Sequence, residues 1–200
     1  QDYNTHVGYM KSREHVNSAN INGYKSVAAF GSKSADLPLF RIYDLDNEAV
    51  SVEHLAERYE YVVQNLRLIK RPGENRWSPQ DRMWSEAALG EDGRGRALLI
   101  FCRTPYTMRD FNDTLLDLPL DLQCVQHLDG GPVAELAIRV GGFHREFVGS
   151  YESGCCEYTT NRRAYPLPNV IAVLSRSGGF PSGSEDADQR RPSGTLDVPE

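Results

Sequence analysis

Cys124-Val-Gln-His-Leu-Asp-Gly-Gly-Pro132 is an apolar run that stops at a carboxylate, two glycines and a proline. An acid at the C-terminal end of a buried strand, beside backbone that a ligand can approach closely, is one way to build a reactive site. Such a carboxylate can face developing positive charge or activate water. Asp-Gly-Gly is also ordinary turn chemistry, because glycine reaches positive φ freely. Both readings of Asp129 stand at this point. A second segment, Leu167-Pro-Asn-Val-Ile-Ala-Val173, places Asn169 at the mouth of another apolar run.

Several elements must position these residues. Residues 7–10, 25–30 and 39–43 read as strands. Residues 51–64 read as a helix, with Ser51 as N-cap, Glu53 in the first turn, and Val52, Leu55, Tyr59 and Val62 on one face. Residues 65–69 read as a strand. Residues 70–81, with Pro72, Gly73 and Pro79, read as a long loop able to close over a site. A short strand is expected over 84–89. Residues 97–102 are apolar throughout and read as a central strand buried on both faces. Thr107 caps a second helix, with Asp110 at the capping-box position and Met108, Phe111, Leu115 and Leu118 facing inward.

The strand 124–128 follows that helix. The crossover rule makes 97–102 and 124–128 parallel neighbours. Arg103 and Asp129 then emerge at the same sheet edge, the edge where open α/β sheets bind ligands. They should lie within one substrate length, on the order of 10 Å. Gly141-Gly142 is a hairpin signal between two further strands, and 169–174 reads as a final core strand. From residue 177 onward the chain has little to bury and is expected to be disordered. The expected fold class is α/β, α+β-like: one domain over 1–176 with a mixed central sheet and few helices, then a tail over 177–200.

Composition bounds the function. Two hundred residues, 40% hydrophobic and 25% charged, suffice for one domain with a core. A net charge of −6 argues against a nucleic-acid groove, and no apolar run reaches the length of a membrane span. Of the four cysteines, Cys102 and Cys124 fall in strand-like runs and read as small buried hydrophobes. Cys155 and Cys156 lie in a loop. No spacing completes a zinc site, so no metal or other cofactor is expected.

Residues 95–111, then His127-Leu-Asp-Gly-Gly-Pro132, Gly149-Ser-Tyr-Glu152 and Pro168-Asn-Val-Ile171, occur in an order that resembles the phosphodiester glycosidase family, its bacterial branch in particular. The resemblance spans residues 4–175. It implies a hydrolase that cleaves a glycosyl phosphodiester in a glycan or cell-envelope polymer. Relatives usually carry a further strand ahead of this point, so the chain is expected to be N-terminally incomplete. Its location is left open, with a periplasmic or secreted place consistent with a leader ahead of Gln1. The alternative is a non-catalytic glycan-binding or envelope-structural domain of the same fold.

Under that resemblance, Asp129 meets the anomeric carbon or activates water, Arg103 grips the phosphate with its bidentate fork, and Glu152 is the second acid. Gly130 and Gly131 present backbone N–H groups. His127, Asn169, Asn65 and Arg67 complete the candidate substrate-binding set. Alternatives stay open for three of them: Arg103 as a surface partner of Asp110, His127 as a satisfied core residue, and Asn169 as a strand-entry residue. Tyr61, Trp77, Trp84, Tyr106 and Tyr151 supply aromatic faces for sugar rings or for the core. The chain departs from its relatives at Gln64-Asn65-Leu66, where they carry Gly-Gly-Pro, and at Ser85-Glu86, near which many carry an arginine.

Overall fold

The computed structural model describes residues 5–175, so the expected tail over 177–200 lies outside the described residues. The strands are β1 (Met10–Ser12), β2 (His15–Ser18), β3 (Ser26–Ser32), β4 (Phe40–Asp44), β5 (Tyr59–Asn65), β6 (Arg67–Lys70), β7 (Glu74–Asn75), β8 (Met83–Asp92), β9 (Ala97–Thr107), β10 (Leu122–Gly130), β11 (Glu135–Val140), β12 (Phe143–Val148), β13 (Tyr151–Glu152) and β14 (Cys156–Glu157). Two helices, α1 (Val52–Arg58) and α2 (Met108–Leu116), accompany them. The expected fold class, sheets with few helices, is what the chain adopts. No helix among the described residues is long and apolar enough to cross a membrane.

One sheet runs β2-β1-β5-β3-β4, a second runs β14-β13-β8-β10-β6-β7 with β9 also on β8, and β11 and β12 form a separate hairpin. Every ladder among the described residues is antiparallel. The contacts divide the chain into two units, Gln1–Asn169 and Val170–Glu200. All the elements above belong to the first.

Two hydrophobic clusters hold the first unit. Val27, Ala29, Val52, Leu55, Tyr59 and Val62 pack α1 onto the first sheet. Leu68, Ala88, Met108, Phe111, Leu115 and Val125 pack α2 onto the second. Buried polar side chains join the sheets. Gln126 donates to the Ser26 and Val63 carbonyls at 3.1 and 2.9 Å, and Glu91 accepts from the Ile42 N–H at 2.6 Å and pairs with Arg71 at 2.7 Å.

Several expectations are corrected. The first helix ends at Arg58, and residues 59–65 form β5. Ser51 caps it as expected, its side chain accepting from the His54 N–H at 3.2 Å. The helical spacing of Tyr59 and Val62 misleads, because Val63 and Gln64 beside them are buried too. An aromatic and β-branched run buried on both faces favours a strand. Residues 97–102 are not a central strand. They open β9, which among the described residues pairs only with β8 and leaves Leu99 42% exposed. The buried centre is β8, whose polar Ser85, Glu86, Glu91 and Asp92 hid it from an apolar-run criterion. β9 and β10 do run the same way, since both are antiparallel to β8, but β8 lies between them.

The cap of α2 is as read: Thr107 accepts from the Asp110 N–H at 3.1 Å. Leu118, however, is exposed. The Gly141-Gly142 hairpin is present, with Val140 opposite Phe143. Residues 169–174 form no strand, and Val170 and Val173 are exposed. The loop after β6 is not a free lid over its first half. The Asn75 amide donates to the Arg109 carbonyl at 2.9 Å and to Asp113 at 2.7 Å, and the Gly73 N–H donates to the Gln123 carbonyl.

Candidate functional site

Both ladders of β8 are irregular, the β9 ladder at Ser85 and the β10 ladder between Ala87 and Ala88. On the β9 side the register shifts between Trp84 and Glu86; on the β10 side it shifts between His127 and Asp129, where Leu128 is the extra residue. Bulges re-aim side chains and occur often beside active sites. Here the Leu128 bulge turns Asp129 off the regular alternation, and the Asn65 amide donates to the Leu128 carbonyl at 3.4 Å.

Glu86 is fully buried, and two donors satisfy its carboxylate. His127 Nδ1 donates to Oε1 at 2.7 Å, and the Trp84 indole N–H donates to Oε2 at 2.6 Å. Burial raises the Glu86 carboxyl above the usual carboxylate range, against the opposing charge of His127. Burial also pulls the His127 imidazole down. The charge of Glu86 and the hydrogen bond to it win, so His127 holds its proton above the ordinary value, with Asp129 and Glu152 adding to the effect. The pair keeps a proton that a free imidazole would lose.

Asp129 is exposed as a residue, yet the protein packed beneath its carboxyl desolvates it and raises it. Its own Gly130 N–H, donating at 2.9 Å, opposes the rise. The neighbouring charges acting on it are His127, Glu152 and His6. Glu152 is held by Arg82, whose guanidinium also lies 5.7 Å from the Trp84 ring centre. His6 reaches the site because Nε2 donates to the Gln64 carbonyl at 2.8 Å, and burial lowers its pKa.

The two glycines have packing reasons. A methyl on Gly130 would sit 2.6 Å from Trp84 Cδ1. Gly131 has φ +67°, and a methyl there would meet Glu152 Oε2 at 2.9 Å. The space expected to stay open for a ligand is therefore taken by the protein's own side chains.

Arg103 flanks β8 at the level of Ser85, on the opposite side from Asp129. Its guanidinium donates to the carbonyls of Val148, Thr159 (2.9 Å) and Asn161 (2.6 Å). Asp110, its expected alternative partner, bonds Thr107 instead. Ser85 completes this buttress: its hydroxyl donates to the Arg103 carbonyl at 2.5 Å and accepts from the Ser150 and Tyr151 N–H groups.

Arg67 pairs with Asp44 at 2.6 Å and Asp46 at 2.9 Å. Asn169 is half-buried and outside any strand. Of the sequence-derived candidates, the fold brings Asp129, Glu152, His127, Gly130, Gly131 and Asn65 together around the bulge. Arg103 and Arg67 spend their guanidinium groups elsewhere, on backbone carbonyls and on Asp44 and Asp46. Sequence reasoning missed Glu86, Arg82 and His6 as members. A carboxylate in the middle of Trp84-Ser-Glu-Ala-Ala-Leu89 was the available signal for Glu86; nothing marked Arg82 or His6.

The four cysteines are free thiols, and burial pushes Cys124 up to about 12. No group of three or more His, Cys, Asp or Glu among the described residues is arranged to hold a metal ion. No protein-family model matches this chain, and no curated protein matches it.

Proposed function

We propose that the chain is a hydrolase acting on a glycosyl phosphodiester, with the Glu86–His127–Asp129–Glu152 cluster as its acid–base apparatus. The observation that carries this reading is the buried Glu86–His127 pair set beside two further carboxylates, Asp129 at the Leu128 bulge and Glu152. Titratable groups pushed from their ordinary values by burial and by one another are a mark of acid–base sites. Asp129, the most exposed carboxylate of the cluster, faces the anomeric carbon or the attacking water. His127, kept protonated by Glu86, supplies a proton or a positive charge to the departing phosphate. Arg82, exposed and paired with Glu152, is a guanidinium able to turn to that phosphate. The order of motifs that resembles phosphodiester glycosidases supports the choice of substrate.

A specific observation favours the second reading, a glycan-binding domain without catalysis. The arginine expected to grip phosphate, Arg103, spends its guanidinium on three backbone carbonyls. The two readings separate on hydrolysis of a panel of sugar 1-phosphodiesters by the wild-type chain, Asp129→Asn and His127→Gln. Turnover by the wild type that falls at least a hundredfold in both variants supports the hydrolase. Equal turnover by all three removes the cluster from the chemistry. Binding of a glycan with no turnover of any substrate supports the second reading.

A further inference from the structure

Beside the Glu86–His127 pair lies a depression of about 260 Å³ lined by Leu66, Arg67, Leu68, Arg76, Trp77 and Ser78. It adjoins the cluster through two direct links. The Leu66 carbonyl accepts from the His127 N–H at 2.9 Å, and Trp77 meets Trp84 edge to face with ring centres 6.4 Å apart.

The Trp77 ring is held in place. Its indole N–H donates to the Arg67 carbonyl at 3.1 Å, and its backbone N–H donates to the Asn75 side chain at 3.1 Å. A rigid indole costs little order to use as a binding face. The charged lining is already balanced: Arg67 is matched by Asp44 and Asp46, and Arg76 by Glu74 at 2.6 Å. Such a lining offers hydrogen-bonding groups without an unmatched positive charge. It therefore suits a neutral polyhydroxylated ring better than a phosphate. The volume falls just below the roughly 300–1,000 Å³ of pockets for larger small molecules, which limits the occupant to a single ring.

We propose that this depression is a subsite for one neutral pyranose ring, whose apolar C–H face rests on Trp77 and whose hydroxyls reach Arg76 and the Arg67 edge. The assignment rests on the sugar-directed reading above only for its choice of ligand, and it holds for a hydrolase or a binding domain alike. Set next to His127, a ring bound here is the sugar or aglycone on one side of the bond that the cluster attacks.

The test is calorimetric titration of the whole chain with the methyl glycosides of glucose, N-acetylglucosamine, galactose and mannose, and with inorganic phosphate, alongside Arg76→Ala and Ser78→Tyr. Both substitutions fall on exposed positions, and the second adds a bulky ring to the lining. At least one glycoside should bind saturably, and each variant should weaken it fivefold or more with unchanged circular dichroism. Saturable binding of no glycoside, or binding that both variants leave intact, overturns the subsite. So does binding of phosphate in preference to every glycoside. Glycoside binding lost in both variants, in a chain that hydrolyses no phosphodiester, upholds the subsite while ending the hydrolase reading.

Discussion

His127 Nδ1 stands 2.7 Å from Oε1 of Glu86, a carboxylate with no exposed surface. The imidazole is thereby fixed in orientation and given a reason to keep its proton, much as a buried acid orients a catalytic histidine elsewhere. Breaking one partner strands the other in the interior, so neither residue is separable from the fold.

That pairing sets a pH dependence. Both groups bind their protons more tightly folded than free. A group raised on folding adds stability that is complete below its unfolded pKa and is lost as pH climbs through its folded pKa. The His127 contribution is therefore complete below the ordinary 6.5 and declines above it. Urea midpoints taken between about pH 6 and pH 9 should fall for the wild type and fall less for His127→Gln. Parallel curves would contradict this account.

Glu86→Gln should keep the Trp84 indole bond but lose the charge that holds His127 protonated. We expect the imidazole pKa, followed by NMR of the ring protons, to drop below that of the wild type. Turnover of any accepted phosphodiester should drop with it, at least tenfold. An unmoved imidazole titration would show that Glu86 does not govern His127.

Gly130→Ala places a methyl against Trp84 and forces the indole off Glu86, at a cost of about 1–3 kcal/mol. Gly149→Ala is worse, because its methyl would lie 2.1 Å from the Gly131 carbonyl oxygen, which is backbone. It should cost roughly 3 kcal/mol or more. Chemical denaturation of the two variants checks the order, and the reverse order would refute the packing argument.

Arg103→Ala removes three charge-assisted bonds to the carbonyls of Val148, Thr159 and Asn161. It should lower stability by about 2–3 kcal/mol. Arg103→Lys should recover only part of this, since one ammonium cannot reproduce a planar fork. Full retention of stability in Arg103→Ala would return this residue to the list of groups free to meet a ligand.

The sequence disclosed most of the strands, the Thr107 cap and the Gly141-Gly142 hairpin, because each depends on residues near one another in the chain. It misplaced the buried centre of the second sheet. Ala97 to Cys102 looks more apolar than β8, but β8 buries two of its carboxylates against partners far away in sequence: Glu91 against Ile42 and Arg71, Glu86 against His127. Pairing at that range leaves no local pattern. Asp129 was legible as the end of a strand. Its surroundings were not, because His6 comes from the segment ahead of β1, Arg82 from just before β8 and Glu86 from within it, all distant from Asp129 in sequence. Arg103 was read as emerging past a strand end, but it lies inside β9, and its partners, Val148 at the end of β12 and Thr159 and Asn161 beyond β14, are distant in sequence.

Trp77 and Trp84 are the only tryptophans of the chain, and their rings touch. One borders the depression, and the other donates to Glu86. The tryptophan emission of this chain therefore originates in a single neighbourhood. Proton loss from the buried pair, entry of a ring beside Trp77, or displacement of the loop that carries it would each alter the same optical signal. The molecule carries its own label at the place where its chemistry is proposed to occur.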